Sequence, residues 1–429
     1  MRKAVGKAGF RVSLRVAWIL VISPSWRTTF RALRHRDFRL FVAGQVVSLV
    51  GTWMQSLALA WLVYRLTGST ILMGTVGFAT HLPVLLLGPI AGLVCDRYPR
   101  RLIVIAAQTV FLIQASLLAW LTLTSQISVT QILALAFLLG TANAFDIPGR
   151  QSLYIHMVGK EDLQNAIALN SMSFNAARVV GPSVGGFCVA LFGEGVCFAI
   201  NAVSYLAVIG SLAAMRKSEP ERPAHHESPL HHLAQGFQYA WTHRRVRALL
   251  TVTALANMAT TPASVLGPVF ADQIFHRGSQ GLGLLTGALG FGAVTGTFVL
   301  ARYGRPETLP RIVLVSAGLA ALALTIFASS PSFYVSIAAN ALGGYAIFRL
   351  LACVNSLIQS SIDDAFRGRV MSLYSMTVVG MLPLGNLAAG FGGRFLGARL
   401  TVLAGAMLSL GAAVVWSRLL RAGQLDHHS

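Results

Sequence analysis

One arginine lies in the middle of a long apolar run and is the residue that points most directly to chemistry. Arg178 is the only Asp, Glu, Lys or Arg between residues 163 and 193. A charge at the centre of a membrane helix costs roughly 2.5 to 3.5 kcal/mol on insertion scales, so an intramembrane charge is a functional-site hypothesis by default. Asp146 and Glu194 fall near opposite ends of the apolar segments, which leaves Arg178 without a counter-ion at its own depth.

A narrow polar stripe surrounds this arginine. At 100 degrees per residue, its small and polar members fall within about one third of the helix circumference. They are Ser171, Asn175, Arg178, Pro182, Gly185 and Gly186. Two interpretations stay open: Arg178 attracts an anionic or catechol-like substrate, or it bonds backbone carbonyls and amides such as Asn143 or Asn175 and only fixes packing. The candidate cavity residues are Arg178, Asn175, Asn143, Ser171, Asn170 and Gln45.

The sequence lacks the residues that ATP hydrolysis or enzyme catalysis would require. No G-x-x-x-x-G-K-[ST] phosphate loop is present, so ATP hydrolysis by that route is excluded. A membrane enzyme would need paired carboxylates, a metal cluster or a Ser/His/Asp set at membrane depth. The cysteines lie in apolar runs without CxxC spacing, and the histidines between 225 and 232 fit a solvated loop better than a metal site. We therefore predict no enzyme activity, no cofactor and no metal.

The surroundings of these residues are lipid. Of the 429 residues, 55% are apolar and 11% charged, whereas soluble chains carry about 25% charged residues. Lys and Arg number 34 against 14 Asp and Glu, a net charge of +20. Nucleic-acid binding would need a continuous basic face, and these charges instead form short clusters between apolar runs. We predict the lipid bilayer as a partner and no nucleic acid.

The gaps between charges predict twelve membrane helices, since one crossing needs about 20 apolar residues. Single helices fit the intervals 40–64, 66–95, 163–193, 195–215, 248–271, 278–301, 370–393 and 400–417. The longer intervals 102–145 and 312–348 each fit a helical hairpin, with turn signals at 124–126 and 329–332. Of the 34 basic residues, 29 fall on the side of the N-terminus and four on the other side. This bias predicts cytoplasmic N- and C-termini.

The chain reads as two copies of a six-helix unit. Residues 168–171 match 372–375, and the same offset places Gly181 on Gly385 and Gly186 on Gly390. We predict an all-α integral membrane protein with two pseudo-symmetric six-helix bundles around a central cavity, an arrangement that supports alternating access. The expected parts are a basic extension (1–37), the N-terminal bundle (38–215), a cytoplasmic linker (216–244), the C-terminal bundle (245–420) and a tail (421–429).

Several motifs together resemble the major facilitator superfamily. The segment Gly92-Leu-Val-Cys-Asp96-Arg97-Tyr-Pro99-Arg100-Arg101 is similar to its loop signature between helices two and three, with Pro99 in place of the usual glycine. The segments 143–151, 162–171, 175–186 and 367–375 narrow the resemblance to the branch that contains enterobactin-type siderophore exporters. The resemblance covers about residues 30 to 420.

The resemblance implies gates as well as a fold. The loop around Asp96 is implied to latch the outward-facing state, and its second-half copy at 300–305 lacks the acid. Apart from the resemblance, the repeat offset places Asp146 opposite Arg349, which suggests an asymmetric closure, although simple interfacial anchoring explains Arg349 equally well. The expected cytoplasmic gate residues are Asp96, Arg97, Arg100, Arg101, Asp146 and Arg150. The helix-five motif, expected to bend or to pack closely, comprises Gly181, Pro182, Gly185 and Gly186.

The function predicted from these features is export of a small siderophore-like, anionic or amphipathic molecule by a monomeric transporter of the bacterial plasma (inner) membrane. Proton antiport is implied by the resemblance, although the first predicted helix holds no acid and only Asp146, His81 and Glu194 remain as proton carriers. A multidrug efflux pump is the alternative, favoured by an aromatic cavity with Arg178 buried. A non-transporting sensor or scaffold is the alternative of another class, favoured by a filled interior.

Overall fold

The structure, a computed structural model, describes residues 30–216, 237–362 and 364–421, without the side chains at 96, 364 and 365. Most of the predicted extension, linker and tail therefore lies outside the described residues. Long helices fill the remainder. They are α1 (Arg36–Thr67), α2 (Thr70–Arg97), α3 (Arg100–Leu123), a double-length helix (Val129–Phe192), α6 (Glu194–Ala213), α7 (Arg244–Val265), α8 (Gly278–Tyr303), α9 (Leu309–Ser329), α10 (Phe333–Ser360), α11 (Asp364–Phe395) and α12 (Ala398–Arg421).

The double-length helix is two membrane helices joined without a loop. Its 64 residues are twice the 32 residues of α1, and Gly159 interrupts it with φ 75 and ψ 177. Glycine tolerates this positive φ, and the break lets the chain reverse direction. We label the two parts α4 (129–158) and α5 (160–192). Counted in this way, the described residues contain the twelve predicted crossings.

The helices run further than the charge-free intervals from which they were predicted. α1 begins at Arg36 and ends at Thr67, whereas the interval spans 40–64. α10 likewise continues to Ser360. Charged residues interrupt a hydropathy pattern at the membrane surface, but they do not interrupt the hydrogen bonds of a helix, so the interval marks the lipid-embedded part only.

The helices end at two opposite faces of the molecule. Because twelve crossings return the chain to the side where it began, α1 begins and α12 ends on the same face, which we call the terminal face. The opposite side, which carries the α1–α2 and α11–α12 turns, is the distal face. Helices α1–α6 pack into one bundle and α7–α12 into the other, while α2 meets α11 and α5 meets α8 between the bundles.

The apolar core is shared near the distal face and divided near the terminal face. One cluster joins Leu62 of α1 to Leu266 and Phe327 of the C-terminal bundle. Towards the terminal face, a cluster around Phe38 belongs to the N-terminal bundle alone, and one around Trp416 belongs to the C-terminal bundle alone. The bundles are therefore closed against each other distally and separate terminally, a conformation we call the distal-closed state.

Buried amides stabilise the N-terminal bundle. Gln55 of α1 donates from Nε2 to Oε1 of Gln114 in α3 at 3.0 Å. Asn201 of α6 donates from Nδ2 to Oε1 of Gln55 at 2.8 Å and to the hydroxyl of Tyr205 at 3.1 Å. Side-chain bonds between helices replace water for these polar groups and fix the packing of α1, α3 and α6.

Candidate functional site

The distal closure consists of two seams related by the internal repeat. In the α5–α8 seam, Ser279 Oγ donates to the carbonyl of Gly186 at 3.1 Å. In the α2–α11 seam, Thr70 Oγ1 donates to the carbonyl of Gly390 at 2.9 Å. The repeat thus relates two equivalent contacts in space, with an offset of 204 between Gly186 and Gly390 and of 209 between their partners Thr70 and Ser279.

Glycine pairs bring the seam helices close together. A Cβ added at Gly186 would lie 2.9 Å from the Cα of Gly283, and one added at Gly390 would lie 3.1 Å from the Cα of Gly74. Both distances are shorter than ordinary contact. The absence of a side chain lets the backbones approach, as small residues do at membrane helix interfaces.

A side-chain bond also links the bundles at the distal face. The hydroxyl of Tyr64, at the distal end of α1, donates to Oδ2 of Asp272 at 2.7 Å. Asp272 lies in the π-helical turn Phe270–Ile274 that follows α7. Tyr64 is 8% exposed, so this bond is largely shielded from solvent. No sequence signal identified this pair, because its members are far apart and each is unremarkable in its own segment.

Arg178 lies among three aromatic rings at the contact between the bundles. Its Cζ atom is 5.0 Å from the ring centroid of Trp53, 5.1 Å from that of Phe174 and 4.3 Å from that of Phe348. Trp53 and Phe174 belong to the N-terminal bundle, whereas Phe348 is on α10 of the other one. Rings within about 6 Å attract a guanidinium through their negative faces. We refer to Trp53, Phe174 and Phe348 as the aromatic cage.

Arg178 makes no hydrogen bond or ion pair with a residue that the structure describes, and its side chain is half-buried. The two amides suggested as packing partners bond elsewhere. Asn143 Nδ2 donates to the carbonyl of Leu139 at 3.0 Å, and Asn175 Nδ2 donates to the carbonyl of Ser171 at 2.8 Å. No donor of the guanidinium is therefore used by a residue that the structure describes.

The other predicted cavity residues differ in exposure. Asn143, Asn170 and Asn175 are partly exposed and Ser171 is exposed. Gln45 is 3% exposed, and its Oε1 atom has no hydrogen-bond partner among the described residues. Gln45 is therefore buried in the distal-closed state, and its place in a substrate cavity stays a prediction.

The predicted gate arginines contact their own bundle. Arg101 donates to the carbonyls of Ala213 and Met215, at 2.8 and 3.1 Å, and so caps the C-terminal end of α6. Arg100 is buried, with Nη1 2.6 Å from His156 Nε2. Arg97 is exposed at the end of α2. The side chain of Asp96 lies outside the described residues, so its proposed latch stays a prediction.

Asp146 and Arg150 pair with each other on α4. Arg150 Nη2 lies 2.5 Å from Oδ2 of Asp146, and Gln108 of α3 donates to Oδ1 at 3.0 Å. Arg349, at the equivalent place in the other half, bonds Ser316 at 3.0 Å and the hydroxyl of Tyr345 at 2.6 Å. The proposed closure between Asp146 and Arg349 is not formed in this state, in which each is turned into its own bundle.

The helix-five motif packs on two sides. A Cβ at Gly181 would meet the side chain of Trp53 and the carbonyl of Val50, and a Cβ at Gly185 would meet Met54. These two glycines therefore fit α5 against α1. On the opposite side, Gly186 and the carbonyl of Pro182 approach Gly283 of α8. The motif allows α5 to approach one helix of its own bundle and one of the other.

A cluster around Asp162 at the terminal face was not assigned a role from sequence, although the segment containing it carries part of the resemblance. Asp162 is 1% exposed and accepts from Arg31 at 2.8 Å, Arg34 at 2.8 Å and His35 at 2.8 Å. The pairs tie the short 3-10 helix Arg31–Arg34 to the beginning of α5. The described residues contain no group of three or more His, Cys, Asp or Glu that could hold a metal ion.

Known proteins similar to this chain are transporters. A family described as "Transmembrane secretion effector" matches residues 27–428. The staphyloferrin A transporter of Staphylococcus aureus is 26% identical over 81% of this chain and 87% of its own length. The enterobactin exporter EntS of Shigella boydii serotype 4 is 26% identical, over 90% and 91%. The multidrug efflux pump Tap of Mycolicibacterium fortuitum is 26% identical, over 86% and 93%.

Solved structures share the fold. A bacterial homologue of the human lysosomal transporter Spinster, in an inward-facing and unoccupied conformation, superimposes with a TM-score of 0.72 at 14% identity, over 92% of this chain and 98% of that one. The predicted fold of two six-helix bundles is confirmed. The chain is a multi-pass membrane transporter and not an enzyme, and it belongs to the transmembrane secretion effector family of the major facilitator superfamily.

Proposed function

We propose that this transporter exports a small organic anion, siderophore-like or otherwise amphipathic, by alternating access between its two bundles. The observation that carries the proposal is Arg178, a guanidinium at the contact between the bundles without an anionic partner in the described part of the chain. The names of two relatives, which refer to staphyloferrin A and enterobactin, support the same class of solute.

An anion can displace the aromatic cage. A ring face attracts a guanidinium by about 0.5 to 2 kcal/mol, whereas a hydrogen bond to a charged group contributes about 1.5 to 3 kcal/mol. The three rings together contribute about 1.5 to 6 kcal/mol, and a carboxylate or catecholate that forms two such hydrogen bonds contributes about 3 to 6 kcal/mol, so the exchange of cage for anion is close to balanced. Because Phe348 belongs to the C-terminal bundle, the exchange also weakens a contact between the bundles. A ligand shifts a conformational equilibrium through such a difference between states.

We assign the terminal face to the cytoplasm of a bacterium and the protein to its plasma membrane. The distribution of basic residues along the sequence supports this orientation, since the predicted topology assigns 29 of the 34 to the side of the N-terminus. The apolar clusters of the two bundles are separate on that side, so a cytoplasmic solute reaches the exposed Ser171 and the partly exposed Asn175 before it meets the cage. The separate apolar clusters of the two bundles on that side also favour transport over a scaffold role.

We propose proton antiport as the energy source. Each candidate carrier has a partner: Asp146 is held by Gln108 and Arg150, while Glu194 accepts two bonds from Arg65, at 2.7 and 3.2 Å. His81 Nδ1 lies 2.8 Å from the carbonyl of Gly77. A proton uncoupler should abolish export, and export that continues unchanged would reject proton coupling.

Transport by everted membrane vesicles tests the anion proposal. Enterobactin and staphyloferrin A serve as anionic probes, with vesicles that contain the wild type, Arg178→Gln or Arg178→Lys. We expect Arg178→Gln to reduce uptake about tenfold or more, and lysine to restore part of it because it keeps the charge without the planar fork. Arg418→Gln, at an exposed terminal end of α12, is the control. If both Arg178 variants accumulate the probes as the wild type does, Arg178 does not bind the anion.

Multidrug efflux is the second candidate, because the half-buried Arg178 is surrounded by three rings. Such a cage would bind flat, lipophilic solutes after the arginine moves away. A lipophilic cationic dye separates the candidates. Drug efflux predicts that Arg178→Gln preserves or increases dye transport while neither siderophore is transported.

A further inference from the structure

A groove opens at the distal face between the two bundles. It has a volume of about 810 Å³. The α1–α2 turn (67–71) contributes the wall from the N-terminal bundle, and the α11–α12 turn (393–400) contributes the opposite wall. Val269, Gln273 and Ile274, which follow α7, line the remainder. The groove borders the α2–α11 seam, since Thr70 belongs both to its lining and to the bond with Gly390.

Two arginines give the groove a positive charge. Arg394 and Arg399 both line it, both are exposed, and neither forms an ion pair with a described residue. The lining contains no Asp or Glu. Asp272, the carboxylate next to the lining residue Gln273, is occupied by the hydroxyl of Tyr64. The groove lining therefore carries two positive charges and no carboxylate, and Asp272 lies beside it as a neighbouring negative charge.

An apolar surface continues from the groove along the same helices. Phe391 and Phe395 stack with ring centroids 6.5 Å apart and leave 47% and 76% of their surfaces exposed. Leu396 and Leu400, which line the groove, are also more than half exposed. Exposed phenylalanine and leucine on a membrane helix contact acyl chains, and adjacent arginines place their charge at the level of the lipid headgroups.

We propose that this groove binds the headgroup of an anionic phospholipid from the distal leaflet, with the phosphate between Arg394 and Arg399 and the acyl chains along Phe391, Phe395 and Leu400. Basic pockets between membrane helices bind anionic headgroups in this way. A free phosphate would use the arginines alone, whereas the adjoining apolar surface selects a lipid.

The bound lipid stabilises the distal-closed state. Its two walls belong to different bundles, so the groove widens when α2 and α11 part and the lipid loses one wall. A ligand that binds one of two states more tightly shifts the population towards that state. Anionic lipid at this position therefore favours the conformation that is closed distally, and its release accompanies opening of the α2–α11 seam.

The test uses the full chain in nanodiscs of phosphatidylcholine alone or with phosphatidylglycerol. Native mass spectrometry counts the retained lipids, and the distance between spin labels at Gln126→Cys and Ser329→Cys reports distal closure. The groove variant is Arg394→Gln with Arg399→Gln. The matched control is Arg277→Gln, an exposed arginine of the same face outside the groove.

We expect phosphatidylglycerol to be retained and to increase the distal-closed population in the wild type and in Arg277→Gln. Apparent affinity should fall about fivefold for each arginine replaced by glutamine, and lysine at both positions should restore retention. Equal retention by the double glutamine variant, or equal binding of phosphatidylcholine, would overturn the proposal. Full competition by soluble glycerol phosphate would assign the groove to free anions and overturn the lipid assignment.

Discussion

Replacing Gly186 by alanine should open the distal face. The added Cβ would lie 2.6 Å from the carbonyl oxygen of Ser279 and 2.9 Å from the Cα of Gly283, whereas ordinary contact begins at 3.4 Å. Both obstructing atoms are backbone, so no side chain can rotate away. The clash is relieved only if α5 and α8 move apart, which is the direction of distal opening.

The expected size of the effect follows from packing energetics. An extra methyl group in a well-packed interface costs about 1 to 3 kcal/mol, and a free-energy difference of that size changes a two-state ratio about 5- to 150-fold. Alanine also favours the helix over glycine, by up to about 1 kcal/mol. That gain applies to α5 in both states and leaves their ratio unchanged.

Spin labels measure the shift. Gln126→Cys follows α3 and Ser329→Cys ends α9, both exposed and near the distal face, in a background without the four native cysteines. Double electron–electron resonance spectroscopy should give a longer distance between the two labels in Gly186→Ala than in its parent. The repeat predicts the same for Gly390→Ala. Gly210→Ala is the control, because no atom lies within 4 Å of its Cβ. An unchanged distance in both seam variants would refute the idea that glycine contacts hold the seams closed.

Three further substitutions test other parts of the account. Tyr64→Phe removes the donor to Asp272 and should weaken distal closure by about 1 to 2 kcal/mol, seen as a longer mean label distance; the parental distance would contradict this. Asp162→Asn weakens the anchor of the Arg31–Arg34 segment and should lower the thermal unfolding temperature, whereas an unchanged temperature would mean that the cluster contributes no stability. Asn201→Ala leaves Oε1 of the buried Gln55 without its donor and should destabilise the bundle by about 1 to 3 kcal/mol in denaturant titrations; stability equal to the parent would show that another group satisfies Gln55.

The membrane helices and the repeat were predictable because their signals are local or periodic. A crossing needs an apolar interval, and the intervals located all twelve helices, including the hairpin with its turn at 124–126. The repeat offset equated Gly186 with Gly390, and the structure places both in equivalent seams. The reversal of chain direction at Gly159, which occurs without a loop, has no such signal, because a single glycine within a helical pattern does not indicate a positive φ.

The partners of the candidate site could not be predicted. Arg178 stood out because a charge in an apolar helix is costly, but its rings come from three helices, and aromatic residues are common in membrane segments. The bond from Tyr64 to Asp272 joins residues with no pattern between them. The face that is closed in this state could not be predicted from the sequence either, because alternating access requires the same residues to fit both states.

Accessibility of position 175 tests alternating access most directly. Asn175→Cys, in the background without native cysteines, places a thiol at the partly exposed site next to Arg178. A membrane-impermeant maleimide should label it from the terminal face, in everted vesicles, and hardly from the distal face of intact spheroplasts. Adding Gly186→Ala should reverse that preference. Labelling at equal rates from both faces, or unaffected by Gly186→Ala, would contradict a site that opens to each side in turn.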